Sequence, residues 1–250
     1  QPVELGMTCR PDWVRLVGPD CMTDTLMREL ISELGSETLP SRGAKYFDSG
    51  VAWPQGALLS EGHKSPIVMI DFQGSCCAAL GPERLVALVH RIMCYGFHCT
   101  RIDLAVDHFS MGLDLYHNAL RSCETHQLCK IRTYAPDPEY HANGTPTRLL
   151  LKLGKRDSPV CVRIYDKGLE TKTLPPGQWE RIEVEFKDNR SNEVAMNITD
   201  NPDRLAEIIR GYVIGAMDFR VANGRSELER RPRAAWWDAY VGQSEPIIAK

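Results

Sequence analysis

The 250-residue sequence has no apolar run approaching the roughly 18–20 residues that a membrane-crossing helix requires. Its polar opening, QPVELGMTCRPDW, has no apolar core of the kind a secretory signal carries. A soluble, cytoplasmic protein without a membrane partner is expected. There is no CxxC and no zinc-ribbon spacing among the nine cysteines, an odd number that argues for reduced, mostly buried thiols and against a disulfide framework. Positive charge is not in excess either. The formal net charge is −3 and the isoelectric point about 6.2, far below the basic values of a dedicated nucleic-acid-binding domain. Internal repeats and low-complexity linkers are missing, and 43% hydrophobic with 25% charged residues excludes disorder, collagen and coiled coil. A chain of this length buries enough surface to stand without a disulfide or structural metal.

Local charge runs against the whole. Between Arg148 and Lys187 nine cations face six anions, and a second cluster follows at Arg220, Arg225, Arg230, Arg231 and Arg233. Charge alone leaves a solvated face as the simpler reading.

Periodicity gives a chain of alternating element types. Thr23 to Leu34 reads as a helix with the stripe Leu26, Leu30 and Ile31 before Gly35. A second helix should open at Pro82, favoured at a first helical position, and stop at Gly96. Others are expected around Leu113–Cys123 and Pro202–Phe219. Strands are expected over Tyr46–Trp53, Ile67–Phe72, Thr100–Asp107, Arg148–Lys152, Val160–Lys167 and Gln178–Lys187, with turn-formers such as Gly154, Pro175 and Gly177 between them. Hairpin-like spacing favours antiparallel pairing. The fold class is α+β, a central antiparallel or mixed sheet covered by helices.

Three of these strands repay reading at alternate positions. One face carries Arg101, Asp103 and Asp107; Arg163, Tyr165 and Lys167; and Arg181, Glu183, Glu185 and Lys187. The opposite face is apolar: Ile102, Leu104, Val106, Val162, Ile164, Ile182, Val184 and Phe186. Cross-strand neighbours lie about 4.5–5.5 Å apart, so pairing these strands would gather carboxylates, cations and one phenol on one wet surface. An ordinary amphipathic sheet with weak surface ion pairs would alternate in the same way. The clustering of four carboxylates argues against it, because they repel unless cations or a hard metal such as Mg²⁺ or Mn²⁺ neutralise them. Tyr165 would ordinarily be a packing residue with a solvated hydroxyl. A phenol of pKa about 10 is about one part in a thousand ionised at neutral pH, so a nucleophilic tyrosine needs a cation or base beside it. Lys167 and Glu170 are the candidates.

RIDLAVD, GKRDSPVCVRIYDKGLE and WERIEVEFK, in this order over about a third of the chain, resemble the Rep_trans replication initiators. That family includes rolling-circle initiators of small staphylococcal plasmids, filamentous-phage relatives and relaxases of integrative elements. The resemblance implies a HUH-endonuclease-like fold lacking the His-hydrophobic-His strand, since no H-x-H occurs among the seven histidines. It implies a sequence-specific DNA nicking and joining enzyme that starts rolling-circle replication of a phage or mobile element through a 5′-phosphotyrosine. On this resemblance Tyr165 is the nucleophile, Lys167 its partner, and Glu183, Glu185, Asp103 and Asp107 the acidic site for Mg²⁺ or Mn²⁺. Arg163, Arg181, Lys155, Arg156, Ser158 and Arg101 are candidate DNA contacts. The partners implied are a single-stranded or hairpin origin and host helicase or replication proteins, the protein acting as monomer or homodimer. Residues 1–190 are expected to form the catalytic domain and residues 191–250 a helical region packed on it or appended to it. A relaxase for conjugation or integration, or a non-catalytic origin-binding module, would use the same fold.

Overall fold

A computed structural model describes residues 6–222 and 227–249. Arg225, part of the expected second basic cluster, lies outside the described residues. The strands used below are β1 (Gly6–Pro19), β2 (Leu39–Ser41), β3 (Ser49–Ala52), β4 (Ala57–Glu61), β5 (Ile67–Phe72), β6 (His98–Phe109), β7 (Tyr134–Pro136), β8 (Leu150–Leu153), β9 (Val160–Asp166) and β10 (Trp179–Lys187). The helices are α1 (Thr23–Leu34), α2 (Gly74–Leu80), α3 (Pro82–Cys94), α4 (Leu115–Glu124), α5 (Lys167–Thr171), α6 (Asp188–Asp200), α7 (Leu205–Ala216) and α8 (Ala235–Val241). The class is the α+β architecture read from the sequence, with antiparallel strands and flanking helices.

The chain forms two compact units, and both are discontinuous in sequence. An amino-terminal unit holds Arg10–Asp103 and Phe186–Leu205; a tyrosine-bearing unit holds Leu104–Glu185 and Ala206–Ile248. Helix α6 belongs with residues 10–103, while α8 and nearly all of α7 belong with residues 104–185. Backbone pairing between distant stretches, which leaves no local trace in sequence, makes this grouping.

In the amino-terminal unit the strand order is β2-β3-β4-β5-β1-β6. Antiparallel register sets Val14 opposite Phe72, Arg15 opposite Asp71 and Leu16 opposite Ile70. Val14, Leu16, Ile70 and Phe72 are buried, so alternation places the Arg15 and Asp71 side chains together on the other face. Helix α3 opens with Pro82 just after Gly81, whose φ of +77° suits glycine. It is held to α1 by Arg91, which donates to Glu29 and Glu33 at 3.1 and 2.6 Å.

The tyrosine-bearing unit has the order β6-β10-β9-β8-β7, so the three polar-apolar strands read from sequence are neighbours with β10 in the middle. β8 and β9 pair antiparallel, Leu151 with Ile164, Lys152 with Arg163 and Leu150 with Tyr165. Leu151, Leu153, Val162, Ile164, Ile182 and Val184 are buried, with α4 packed on β8 and β9. At full burial each such side chain contributes about 1.5–3 kcal/mol. Gly215 on α7 is held by space: a Cβ there would lie 1.8 Å from the Ile247 carbonyl oxygen.

Several elements depart from the expected limits. The helix expected to run through Phe219 ends at Ala216, and Asp218–Phe219 pairs as a short strand with Leu128–Cys129. Strands β1 and β4 and helix α2 had no expected counterpart. No helix among the described residues is long and apolar enough to cross a membrane. All nine cysteines are free: five buried, two half-buried and two exposed.

Candidate active site

Strand β9 ends where the site begins. Asp166 leaves the strand in extended conformation and its Oδ1 accepts from Leu169 N–H at 2.9 Å, capping α5. Its other oxygen accepts from Gly177 N–H at 2.6 Å. Lys167 is therefore the first residue of a short helix and not, as expected, a third residue on the β9 face. Its Nζ nonetheless lies 5.5 Å from the Tyr165 ring centroid and is ion-paired with Glu170.

Tyr165 is only 7% exposed. Its hydroxyl donates to Glu183 Oε2 across the β9–β10 ladder at 2.7 Å. The other oxygen of Glu183 accepts from the Arg163 guanidinium, whose same nitrogen lies 3.9 Å from Glu185 Oε2. Glu183 thus meets both a guanidinium and the phenol, with Glu185, two positions on along β10, near the same guanidinium. Burial, and secondly the Glu183 charge, push the Tyr165 phenol well above its ordinary value, while Arg181 pulls the other way. The resting hydroxyl is fully protonated at neutral pH and aimed at a carboxylate that can take its proton.

The second cluster of this unit has the same ingredients with a different exposure. Arg181 donates through Nε and Nη2 to both oxygens of Asp107, at 2.7 and 2.9 Å, and Trp179 Nε1 donates to Oδ1 at 2.6 Å. The Arg181 side chain, expected among the DNA contacts, is 0% exposed here and lies buried against Asp107. Asp107, expected as a metal ligand, has both oxygens committed to three donors and serves as the anchor of this clamp. The expected wet surface is corrected in the same way, since Asp103, Asp107, Tyr165, Arg181 and Glu183 are all buried.

In the amino-terminal unit Arg101 grips both oxygens of Asp103, at 2.9 and 2.7 Å, and stacks 4.6 Å above the Trp13 ring. Trp13 Nε1 and Arg15 Nε both donate to Asp71 Oδ1, at 2.9 and 2.8 Å. Trp13 and Arg15 escaped the sequence reading because β1 did, and Asp71, on the expected strand Ile67–Phe72, gained meaning only opposite Arg15; the buried alternation of Val14 and Leu16 was the available signal. Glu180 was also missed as a titrating group. It sits at the amino end of α4, accepts from Leu115 N–H at 2.5 Å, and burial raises its carboxyl to about 7. His108, the histidine next to Asp107, is a core group lowered to about 4 by burial, its ring 5.3 Å from that of Tyr240.

Lys155, Arg156 and Ser158 sit in the loop between β8 and β9, the two cations exposed and Ser158 half-buried. Among the described residues no group of three or more His, Cys, Asp or Glu side chains is arranged to hold a metal ion. Mg²⁺ commonly takes one or two protein carboxylates and completes its shell with water and substrate phosphate. Glu185 offers a carboxylate for that demand, and Glu183 a second one only on giving up Arg163 or Tyr165; both oxygens of Asp107 and of Asp103 are held by buried or bidentate donors.

A buried tyrosine thus stands hydrogen-bonded to a carboxylate on the next strand of an antiparallel sheet. In fold the chain is similar to a solved rolling-circle replication initiator protein from Geobacillus stearothermophilus, with a TM-score of 0.80 and 21% identity, over 98% of this chain and 100% of that one. The family model for replication initiation factors, Rep_trans, matches residues 97–250, more than half of the chain, and the chain belongs to that family. No curated protein matches the chain in sequence.

Proposed function

We propose that this replication initiator is a DNA strand transferase: it nicks a single-stranded or extruded origin and starts rolling-circle replication of a phage or other mobile element. The observation that carries the reading is the Tyr165 hydroxyl donating to Glu183 at 2.7 Å beside Glu185 and Arg163. In the nicking step the Tyr165 oxygen attacks a backbone phosphorus and its proton passes to Glu183. The bond from phosphorus to the 3′ oxygen breaks as the new tyrosyl–phosphate bond forms, and the departing 3′ oxygen takes a proton from water, leaving a 5′-phosphotyrosyl enzyme and a 3′-hydroxyl able to prime synthesis. One phosphodiester is exchanged for another, so no nucleotide triphosphate is consumed and the reverse step rejoins ends.

Glu183 and Glu185 would hold a divalent cation, Mg²⁺ or Mn²⁺, which when bound supplies charge stabilisation of the pentavalent phosphate. The protein's own part is alignment and proton handling. Burial keeps the phenol protonated until the substrate is placed, which suppresses attack on chance phosphates. Lys167, close to the ring, offers a positive charge toward the developing phenolate. Lys155 and Arg156 offer phosphate contacts from the exposed loop, and binding through them falls with salt. DNA is the substrate and host replication proteins, including a helicase, are the partners this role requires.

The test is incubation with Mn²⁺ and a library of single-stranded and hairpin oligonucleotides of randomised sequence. A covalent protein–DNA adduct that disappears in Tyr165→Phe supports the reading. DNA binding without any adduct would favour a second one, an origin-binding module, to which the deep burial of Tyr165 lends support.

A further inference from the structure

The second basic cluster read from the sequence folds back beside the short strand Leu128–Cys129. Arg220 N–H donates to the Gln127 carbonyl at 2.7 Å, and Arg220 and Arg233 form a backbone bridge. The buried carboxylate of Asp218 holds both guanidiniums, Arg220 Nε at 2.7 Å and Arg233 Nε at 3.6 Å. Two cavities open beside this arrangement and have Cys129, Lys130 and Glu229 as common wall. The smaller, about 240 Å³, is lined by Lys130, Arg220 and Arg233. The larger, about 460 Å³, is lined by Tyr134, Arg132 and the apolar Leu128, Ile131 and Leu228. Their described walls carry four cations against the two anions Asp218 and Glu229, in a chain of net charge −3.

Lys130 stands between the two cavities. Its backbone is held at a φ of +67°, and His126, just before the short strand, at +57°. Side chains other than glycine keep such a backbone only where the surroundings enforce it. Lys130 Nζ donates to the Gly215 carbonyl at 3.0 Å, which leaves two N–H donors for a ligand. Burial lowers the pKa of this ammonium, so an anion beside it would be stabilising. Three cations around the smaller cavity suit a phosphate. The larger one has the size of a small-molecule site, an apolar wall and an aromatic ring on which a base can stack. Tyr134 stands opposite Leu153 on β8, which in turn stands opposite Val162 on β9. Leu153 and Val162 are buried on the core face, so Tyr134 lies at the sheet edge on the face opposite to Tyr165.

We propose that this double cavity is a nucleotide site, with the phosphate on Lys130, Arg220 and Arg233 and the base on Tyr134, the nucleotide being one unit of single-stranded DNA. Exposed Arg132 and Arg230 extend the row of cations and give neighbouring phosphates of a strand partners that a free nucleotide cannot use. The site goes beyond the nicking role and does not need it. From the other face of the sheet it holds a stretch of strand away from Tyr165, and it retains DNA whether or not a covalent bond has formed.

The test is fluorescence anisotropy of a labelled oligothymidine with the full chain, in EDTA so that nothing is cleaved. Tyr134→Ala should weaken binding about tenfold, whereas Tyr134→Phe, which keeps the stacking ring, should stay within about twofold of wild type. Lys130→Gln should lower the salt slope by about one. Tyr134 is 41% exposed, so its variants leave the core intact, and Tyr134→Ala binding like wild type overturns the site. A second measurement needs no variant: wild type is irradiated with an oligothymidine carrying 5-iododeoxyuridine and the crosslink is mapped by peptide mass spectrometry. Modification of the Tyr134 peptide is expected, and its absence overturns the site. Thymidine 5′-monophosphate should suppress that crosslink only at concentrations far above the oligonucleotide's; suppression at equal concentration overturns the assignment to a strand. Covalent adduct at Tyr165, scored separately with Mn²⁺, keeps the two claims apart: a missing adduct leaves the Tyr134 crosslink standing, and a missing crosslink leaves the nicking role standing.

Discussion

Two carboxylate–arginine pairs in the tyrosine-bearing unit are built from nearly the same parts, and they differ in one respect. Asp107 with Arg181 and Trp179, and Glu183 with Arg163 and Tyr165, each join an acid, a guanidinium and an aromatic donor across neighbouring strands. In the first the cation is fully enclosed; in the second about a third of it meets solvent. Access to the cation decides the role. Breaking an enclosed pair by removing one partner leaves a buried charge uncompensated, whereas a pair with a half-exposed partner leaves its charge open to solvent. Sequence pattern ranks the two pairs alike, and burial separates them.

The strongest way to break the contrast is to remove its two reactive ends. Tyr165→Phe should reduce covalent adduct to background, a loss of many orders of magnitude, while shifting the urea midpoint by no more than the equivalent of one lost hydrogen bond, about 1 kcal/mol. Glu183→Ala and Glu185→Ala should likewise abolish cleavage yet retain most salt-sensitive DNA binding, measured by fluorescence anisotropy at several salt concentrations. Nicking at wild-type rate in both would remove them from the site.

On the enclosed side the effect should be on stability. Arg181→Met leaves the buried Asp107 charge without its partner and should cost about 3–5 kcal/mol in urea unfolding; adding Asp107→Leu should return most of it. A single variant as stable as wild type would show that the clamp does not hold the strands.

Glu180 offers a gentler probe of the same unit. Its folded pKa of about 7 lies above the ordinary 4.5, so the folded state binds more proton than the unfolded state between those values. This group's contribution is therefore fully present at acid pH and is lost as pH rises from about 4.5 to about 7. Glu180→Gln should flatten that decline in unfolding free energy measured across this range, and an unaltered slope would contradict it. The smallest expected effect is at the β8–β9 loop. Lys155→Ala with Arg156→Ala should weaken DNA binding only several-fold and reduce the salt slope by about one per lost phosphate contact.

Much of this frame was readable before any coordinates. The period-two alternation at Ile102–Val106, Val162–Ile164 and Ile182–Phe186 fixed the core face, and β6, β10 and β9 do lie side by side. What alternation cannot report is whether the polar face is covered, because an outward residue on an exposed strand and one under a second layer have the same spacing. Asp107 and Arg181, expected on a wet surface, are buried for that reason. Lys167 was misplaced because Asp166 works as a helix cap, a local switch that overrides the strand period. β1 was overlooked because Arg10, Pro11, Asp12 and Arg15 mask its alternation, and Arg15 becomes intelligible only opposite Asp71, a pairing with a residue 56 positions away. The two-unit grouping depends on the same kind of distant pairing and could not be read from composition.

The central claim is that Tyr165 is the atom-donating nucleophile toward DNA. Peptide mass spectrometry of the protein after incubation with Mn²⁺ and the oligonucleotide library tests it directly. The account predicts a nucleotide mass on the Tyr165 peptide, linked through a 5′ phosphate; an adduct on any other residue, or bound DNA with Tyr165 unmodified, would contradict it.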